Sequence, residues 1–257
     1  MKILLTNDDG IYAPGLRALR DALQELGEVH VVAPLTEQSG VGMGVTYLHP
    51  ILVHEIMDQD EQFGWAVDGS PVDCVKMGVL ELCQGEPDLI VSGINAGANV
   101  GINVLYSGTV AAAIEGAFFG KTSMAVSLSQ GTPPDYQQAA QRVVPIIRKL
   151  LDASQQPGKL WNINLPDSSK QKSQGTKIVP MAVQRQSERI EKRTDPRGRS
   201  YYWSGLEPIR NHQLEAETDV NELLNGYVTV TPLHFDLSET KLIKELAELD
   251  FDSDQAC

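Results

Sequence analysis

The sequence predicts an α/β fold built on a mostly parallel sheet with helices on both faces. Two observations carry this. Short apolar runs alternate with segments of helical periodicity from residue 2 to Pro166, and the residues that follow several of those runs are polar and glycine-rich, as at the carboxyl ends of parallel strands. A C-terminal hairpin or arm extension is expected to follow this core.

The run Lys2 to Thr6 (KILLT) predicts the first strand. Leu16, Leu19, Leu23 and Leu26 then recur at helical spacing over Gly15 to Leu26, before Gly27. The alternation continues with a strand at Val29 to Ala33, a helix over Pro71 to Leu82, a strand at Asp88 to Ser92, a helix over Thr109 to Phe119 and a strand at Met124 to Leu128. A further helix over Asp135 to Leu151 and a strand at Trp161 to Leu165 complete a core of residues 1–166. Residues 167–226 are polar with few apolar runs and predict loops and hairpins forming an arm. The strand Tyr227 to Thr231 returns to the core, and Glu239 to Leu249 reads as a short amphipathic helix in the tail. With too few apolar runs for a core of its own, the 167–257 region is expected to serve oligomerisation, as a homodimer or a larger homo-oligomer.

The chain has 257 residues, 42% hydrophobic and 21% charged, the balance of an ordinary globular protein. Its net charge of −13 argues against extended nucleic acid as a partner, because like charges repel a phosphate backbone. Small anions remain compatible, since a bound metal reverses the local sign. No stretch approaches the ~18 apolar residues of a membrane-spanning helix, and MKILLTNDDG turns polar too early for a signal peptide, so a cytoplasmic location without membrane attachment is expected. Cys74, Cys83 and Cys257 show no CxxC spacing; Cys74 and Cys83 read as buried thiols.

The chemistry concentrates at the predicted strand ends. After the first strand come Asn7, Asp8, Asp9 and Gly10; after the second, a long loop containing Ser39; after the third, Ser92, Gly93, Ile94 and Asn95. Successive strand residues face opposite ways, so Asp8 and Asp9 share a ligand only if the strand stops before them. Two crowded carboxylates repel unless a cation lies between them, and hard divalent ions take oxygen ligands. Ser39 and Asn95 are further oxygen donors at two other strand ends. For such an acidic pair the alternative is that one Asp caps a turn and the other is solvated.

The segment SGINAGANVG (Ser92 to Gly101), with Gly93 and Gly97, leads to Tyr106, Ser107, Gly108 and Thr109 ahead of an alanine-rich helix. A glycine-rich loop entering a helix offers backbone N–H groups to an oxyanion. A plain tight connection with a Ser or Thr N-cap is the competing reading. The glycines lack the GxGxxG spacing, and GAFFGKT at Gly116 to Thr122 is one residue short of a P-loop and ends a predicted helix. Of His30, His49, His54, His212 and His234, only His234 is kept as a weak candidate. Arg185, Arg189, Lys192, Arg193, Arg197 and Arg199 precede Tyr201, Tyr202 and Trp203. They form a basic, aromatic patch suited to an anionic, base-containing substrate or to another subunit, or else a solvated hairpin.

These pieces resemble the SurE family, the survival protein nucleotidases. The resemblance rests on ILLTNDDGIYAPGL, APLTEQSGVG, VDGSPVDCVKMG, PDLIVSGINAGANVG, YSGTVAAAIEGA, NINLP, DPRGRSYYW and GYVTVTPL, in order over residues 3–233. It implies a Rossmann-like core with a protruding C-terminal part used in dimerisation. It also implies a divalent-metal (Mg, Mn or similar) phosphatase acting on nucleoside 5′- and 3′-monophosphates, in some members also on polyphosphate. The family's metal ligands fall on Asp8, Asp9, Ser39 and Asn95. In the mechanism this implies, Asp8, Asp9 and Asn95 are the catalytic residues, and Gly93, Asn95, Gly97, Ser107, Gly108 and Thr109 bind the phosphate. The rival readings are a receiver-like signalling module, which needs a third Asp at a strand end, and a nucleotide- or metal-binding sensor without turnover.

Overall fold

The computed structural model of the chain describes residues 1–129, 134–153, 156–167, 173–183, 188–206 and 216–249. Arg185, His212, Cys257 and the side chain of Arg189, all considered above, lie outside what is described. Along the chain, β1 (Lys2–Thr6), α1 (Pro14–Leu23) and β2 (Glu28–Pro34) are followed by a hairpin of β3 (Val53–Asp58) and β4 (Glu61–Val67). Next come α2 (Pro71–Met77), β5 (Leu89–Ala96), α3 (Gly108–Phe118), β6 (Thr122–Leu128), α4 (Tyr136–Ala153) and β7 (Leu160–Leu165). Then β8 (Gly175–Ile178) precedes a separate hairpin of β9 (Glu188–Thr194) and β10 (Ser200–Leu206). The last elements are α5 (Asp219–Leu224), β11 (Tyr227–Leu233) and α6 (Thr240–Leu246).

The main sheet runs β3-β4-β2-β1-β5-β6-β7-β11-β8 and is parallel except at its β3/β4 and β7/β11 pairs. Its central strands carry apolar residues on both faces, as a parallel sheet covered by helices requires. Ile3 and Leu5 of β1, with Val31, Val91 and Val126, face Leu16, Leu19 and Leu23 of α1 and Val143 and Ile147 of α4. Leu4, Val32 and Ile90 face the opposite way, onto Cys74 and Val75 of α2 and Ala112 of α3. Cys74 and Cys83 are buried free thiols, as expected, and burial raises the pKa of both. The α4 helix runs through Pro145 because that residue is exposed. The carbonyl that loses its partner, on Gln141, lies on an exposed residue, while Ala140, Val143, Val144 and Ile147 hold the other face in the core.

The predicted strands and helices of the core recur with ends shifted by a few residues, and several features differ. β5 runs on through Gly93, Ile94 and Asn95 to Ala96, with a register shift between Ser92 and Asn95. The Pro71 to Leu82 helix is α-helical only to Met77 and continues as a π turn over Gly78–Leu82. The β3/β4 hairpin was not expected. The face of β3 is mostly exposed, so it shows no alternation of apolar and polar residues. β8 was also not expected. It is a four-residue edge strand, and it joins the main sheet only through β11, while β9 and β10 form their own two-stranded sheet. α6 buries none of its residues.

The long β2–β3 connection is pinned to the start of α2. Ser70 and Asp73 form a reciprocal capping box, in which Asp73 N–H donates to Ser70 Oγ at 3.1 Å and Ser70 N–H to Asp73 Oδ2 at 2.9 Å. The same carboxylate accepts from Thr46 Oγ1 at 2.6 Å and from Thr46 N–H, while Ser70 Oγ donates to Gly44 O at 2.6 Å. Asp73 is fully buried, so its loss leaves Ser70 N–H and Thr46 N–H without an acceptor. Asp73→Ala is therefore expected to destabilise the protein by about 2–3 kcal/mol in urea unfolding, several times the effect of an exposed charge such as Asp152→Ala.

Candidate active site

β1 stops at Thr6, so the two aspartates sit in a bend and not on opposite faces of a strand. The side chain of Asn7 closes that bend, accepting from Gly10 N–H at 3.2 Å through Oδ1 and donating from Nδ2 to Gly10 O at 3.0 Å. Gly10 has φ +99°, a conformation that a residue with a Cβ adopts only with strain. Gln38 N–H donates to Asp8 O at 2.8 Å, which lays the loop carrying Ser39 across the end of β1.

Asp8 is 5% exposed. Thr109 Oγ1 donates to its Oδ1 at 2.5 Å, and the Thr109 backbone also favours the charged carboxylate. The first turn of α3 thus points its uncompensated N–H end at this carboxylate. Gly108 permits the approach, since a Cβ there would lie 2.8 Å from Asp8 Cβ. Burial nevertheless dominates and, with the neighbouring Asp9 charge, pushes the Asp8 pKa up to about 6 against the pull of Thr109. The Asp9 pKa is also raised, first by burial and then by Glu37, while Ala96 N–H, donating to Asp9 Oδ2 at 3.0 Å, opposes the shift.

A cleft of about 280 Å³ opens at this end of the sheet. Its walls include Asp8, Ser39, Asn95 and Gly97, so three of the four expected metal ligands line one space, and Asp9 is bonded to Ala96 on its wall. Ser107 lines it as well and caps α3, its Oγ accepting from Val110 N–H at 3.2 Å. Gly93, Gly108 and Thr109 are not among the lining residues. Gly93 is buried inside β5, Gly108 lies under Asp8, and the Thr109 hydroxyl is turned onto Asp8. Gly97 N–H is used by Leu128 O and Asn95 O, and Asn95 Nδ2 donates to Gly97 O at 2.7 Å. The glycine-rich loop therefore bonds largely to itself and to β6.

Five lining residues were not singled out from the sequence: Gly40, Ala96, Ala98, Asn99 and Asn103. Asn99 lies within the quoted glycine-rich segment, and a second amide after Asn95 was the available signal. Its N–H donates to Asn164 Oδ1 at 2.8 Å, its Nδ2 to Ser127 Oγ at 3.0 Å, and its carbonyl accepts from Asn162 and Asn164. Glu37 was also missed. It accepts from Ser39 Oγ at 2.6 Å and adds negative charge near Asp9. His234 stacks on Phe235 at the end of β11 and is not among the cleft residues.

The donors around the cleft are all oxygens, two of them carboxylates whose pKa values are raised by burial and by neighbouring negative charge. That set fits a hard divalent cation, which supplies the missing positive charge. It does not fit a soft metal, and among the described residues no group of three or more His, Cys, Asp or Glu is placed to hold a metal ion of any kind, so the cation would depend on the Ser39 and Asn95 oxygens as well as on the aspartates. No helix among the described residues is long and apolar enough to cross a membrane.

The survival protein SurE family model matches residues 3–188. A 5′-nucleotidase SurE of Rhodopirellula baltica is 50% identical over 96% of this chain and 98% of its own length. Another, of Pelotomaculum thermopropionicum, is 44% identical over 97% and 95%. The crystal structure of the SurE protein of Aquifex aeolicus superposes with a TM-score of 0.83 at 39% identity, covering 96% of this chain and 98% of that one.

The raised Asp8 pKa fixes a sign for the metal-free protein. The folded chain holds this proton more tightly than the unfolded chain, so stability falls as pH rises from about 4 to about 6 and then levels off. The shift from 3.8 to about 6 corresponds to about 3 kcal/mol at neutral pH. Asp8→Asn, which keeps an acceptor for Thr109, is expected to flatten this slope. With chelator present it should raise stability at pH 7 by about 1–3 kcal/mol, measured by urea unfolding at pH 4, 5, 6 and 7.

Proposed function

Because the chain belongs to the survival protein SurE family, we propose that it is a 5′-nucleotidase, a phosphomonoesterase that releases phosphate from nucleoside monophosphates. The observation that carries this reading is the convergence of Asp8, Ser39 and Asn95 on one cleft at the carboxyl ends of β1 and β5, with Asp9 bonded to its wall at Ala96 and the N-terminus of α3 beside it. The signalling and sensor readings are not favoured, since the matching relatives are named nucleotidases.

In this reading Asp8, Asp9, Ser39 and Asn95 hold one divalent cation, Mg or Mn by the hardness of its ligands. When bound, the cation offsets the charge of the phosphoryl group and makes water a better nucleophile at neutral pH. Thr109 keeps Asp8 oriented, and Ser107 and Asn103 face the remaining phosphate oxygens from the cleft wall. One carboxylate of the Asp8 and Asp9 pair accepts the proton of the attacking water. Water oxygen then bonds to phosphorus as the ester P–O bond breaks, and the departing nucleoside oxygen takes up a proton from solvent water while the carboxylate later returns its own to solvent.

Activity toward 3′-monophosphates and polyphosphate, a cytoplasmic location and a homodimer assembled through the 167–257 region belong to the same proposal. The dimer is supported by the exposed Tyr201, Tyr202 and Trp203 on β10 and by α6, which buries no residue. Sedimentation velocity at micromolar concentration should show at least a dimer, and a monomer there would remove this part.

The activity is tested by phosphate release from nucleoside 5′- and 3′-monophosphates, polyphosphate and p-nitrophenyl phosphate, with Mg, with Mn and with chelator. Turnover of 5′-monophosphates that chelator abolishes is expected, and equal rates with and without chelator would overturn the metal assignment. Asp8→Asn and Asp9→Asn should each lower kcat by roughly a thousandfold while leaving the fold intact.

A further inference from the structure

Asp219 is the first residue of α5, it is fully buried, and it lies 118 positions from Gly101, the residue at the edge of the cleft loop that it touches in space. Its carboxylate accepts three backbone N–H groups. Oδ2 takes Gly101 N–H at 2.8 Å, and Oδ1 takes Ala182 N–H at 2.9 Å and Val220 N–H at 2.8 Å. Its own N–H donates to Pro180 O at 3.0 Å. A carboxylate withdrawn from water is costly unless several donors satisfy it, and here all three donors are backbone amides from separate stretches of chain.

Those stretches have distinct positions. Ala182 and Asp219 are the two roots of the excursion that carries the β9/β10 hairpin. Gly101 opens the 3-10 turn Gly101–Tyr106, which presents Asn103 and Tyr106 to the cleft and delivers the chain to Ser107. An apolar contact of Val100 with Ala182, Val220 and Leu223 lies beside the carboxylate. On its other side the cleft loop is fastened at Asn99 to β6 and β7. Between Asn99 and Ser107 the described side-chain bond to the loop backbone is the one from Asp219 to Gly101.

We propose that Asp219 is a positioning residue for substrate binding: by holding Gly101 N–H together with the two roots of the arm, it sets the place of Asn103, Tyr106 and Ser107 in the cleft. The proposal rests on the nucleotidase reading for its kinetic consequence but not for its structural one.

Asp219→Asn tests it selectively. An amide has one acceptor oxygen, and the pairing that keeps most bonds turns that oxygen toward Ala182 and Val220. The amide NH2 then faces Gly101 N–H, donor against donor, and the bond to the cleft loop is the one lost. For the full-length protein with Mg, KM is expected to rise about tenfold for both AMP and p-nitrophenyl phosphate, with a smaller change in kcat. Amide hydrogen exchange over residues 99–107 should speed up by at least tenfold, while residues 89–92 of β5 keep their protection. Val220→Ala, which thins the apolar contact and leaves the carboxylate in place, should shift KM and exchange in the same direction by a few-fold.

A folded Asp219→Asn protein with parental KM and parental exchange over 99–107 overturns the proposal. So does a lowered melting temperature with exchange raised throughout the chain and KM unchanged, since that marks a structural role only. If Asp219→Asn does not fold, Val220→Ala decides, and parental KM and exchange in it overturn the proposal. Absence of phosphatase activity in the parent would instead remove the nucleotidase reading, and the exchange comparison would still report on the Asp219 contact.

Discussion

A carboxylate taken out of water at the end of a central strand is destabilising by several kcal/mol unless its surroundings offset it, and the neighbours of Asp8 are arranged around that fact. Thr109 gives it a hydroxyl and an amide, Gly108 leaves room for the helix to come close, and Gln38 lays a loop across the adjoining backbone. The compensation is incomplete, because burial still outweighs these donors and Asp9 and Glu37 bring more negative charge to the same place. The end of β1 is in this sense left short of positive charge, in a fold whose main clusters on either side of the sheet are apolar.

The cleft wall opposite Asp8 depends on a different kind of order. Asn95, Ser127, Asn164 and Thr229 are partners in register across β5, β6, β7 and β11, so one pleat carries a polar row through the sheet. Asn99 leaves the loop to bond with two members of that row, and Asn162, one pleat away, takes its carbonyl. Amides suit this place because each both donates and accepts, so a loop can be fixed without adding charge next to the acidic pair. The fixing of this cleft wall thus comes from strands β6 and β7, which contribute no acidic residue to it.

How much of this could be read beforehand follows from which residues act locally. The β1 turn was legible because Asn7, Asp8, Asp9 and Gly10 must break a strand whatever the rest of the chain does, and the core helices because α1 and α4 repeat Leu, Val or Ile at helical spacing. Ser39 and Asn95 were legible as oxygen donors at strand ends, and the cleft does bring both beside Asp8. The part played by Thr109 was not, because its spacing suits a phosphate-facing cap equally well and only the packing of α3 turns the hydroxyl onto Asp8. Asp219 and Glu37 gave no local signal at all. One is an ordinary first-turn acid of a six-residue helix and the other a loop residue, and each acquires its importance from a neighbour distant in sequence or brought close by a bend. The same holds for β8, whose four residues become a strand only because β11 arrives next to them.

That dependence of β8 has a temporal side. The slot between β7 and β8 is filled by a strand made some fifty residues after β8 itself, once the β9/β10 hairpin has been synthesised and its roots have met. Until then β7 shows an unpaired edge and β8 has no partner to hydrogen-bond. A nascent chain at this stage carries a nearly finished catalytic core with one sticky flank, the condition in which β proteins are most prone to pair with the wrong neighbour. The last strand to emerge is therefore also the one that seals the sheet, and the interval before it emerges is the chain's period of greatest exposure to aggregation.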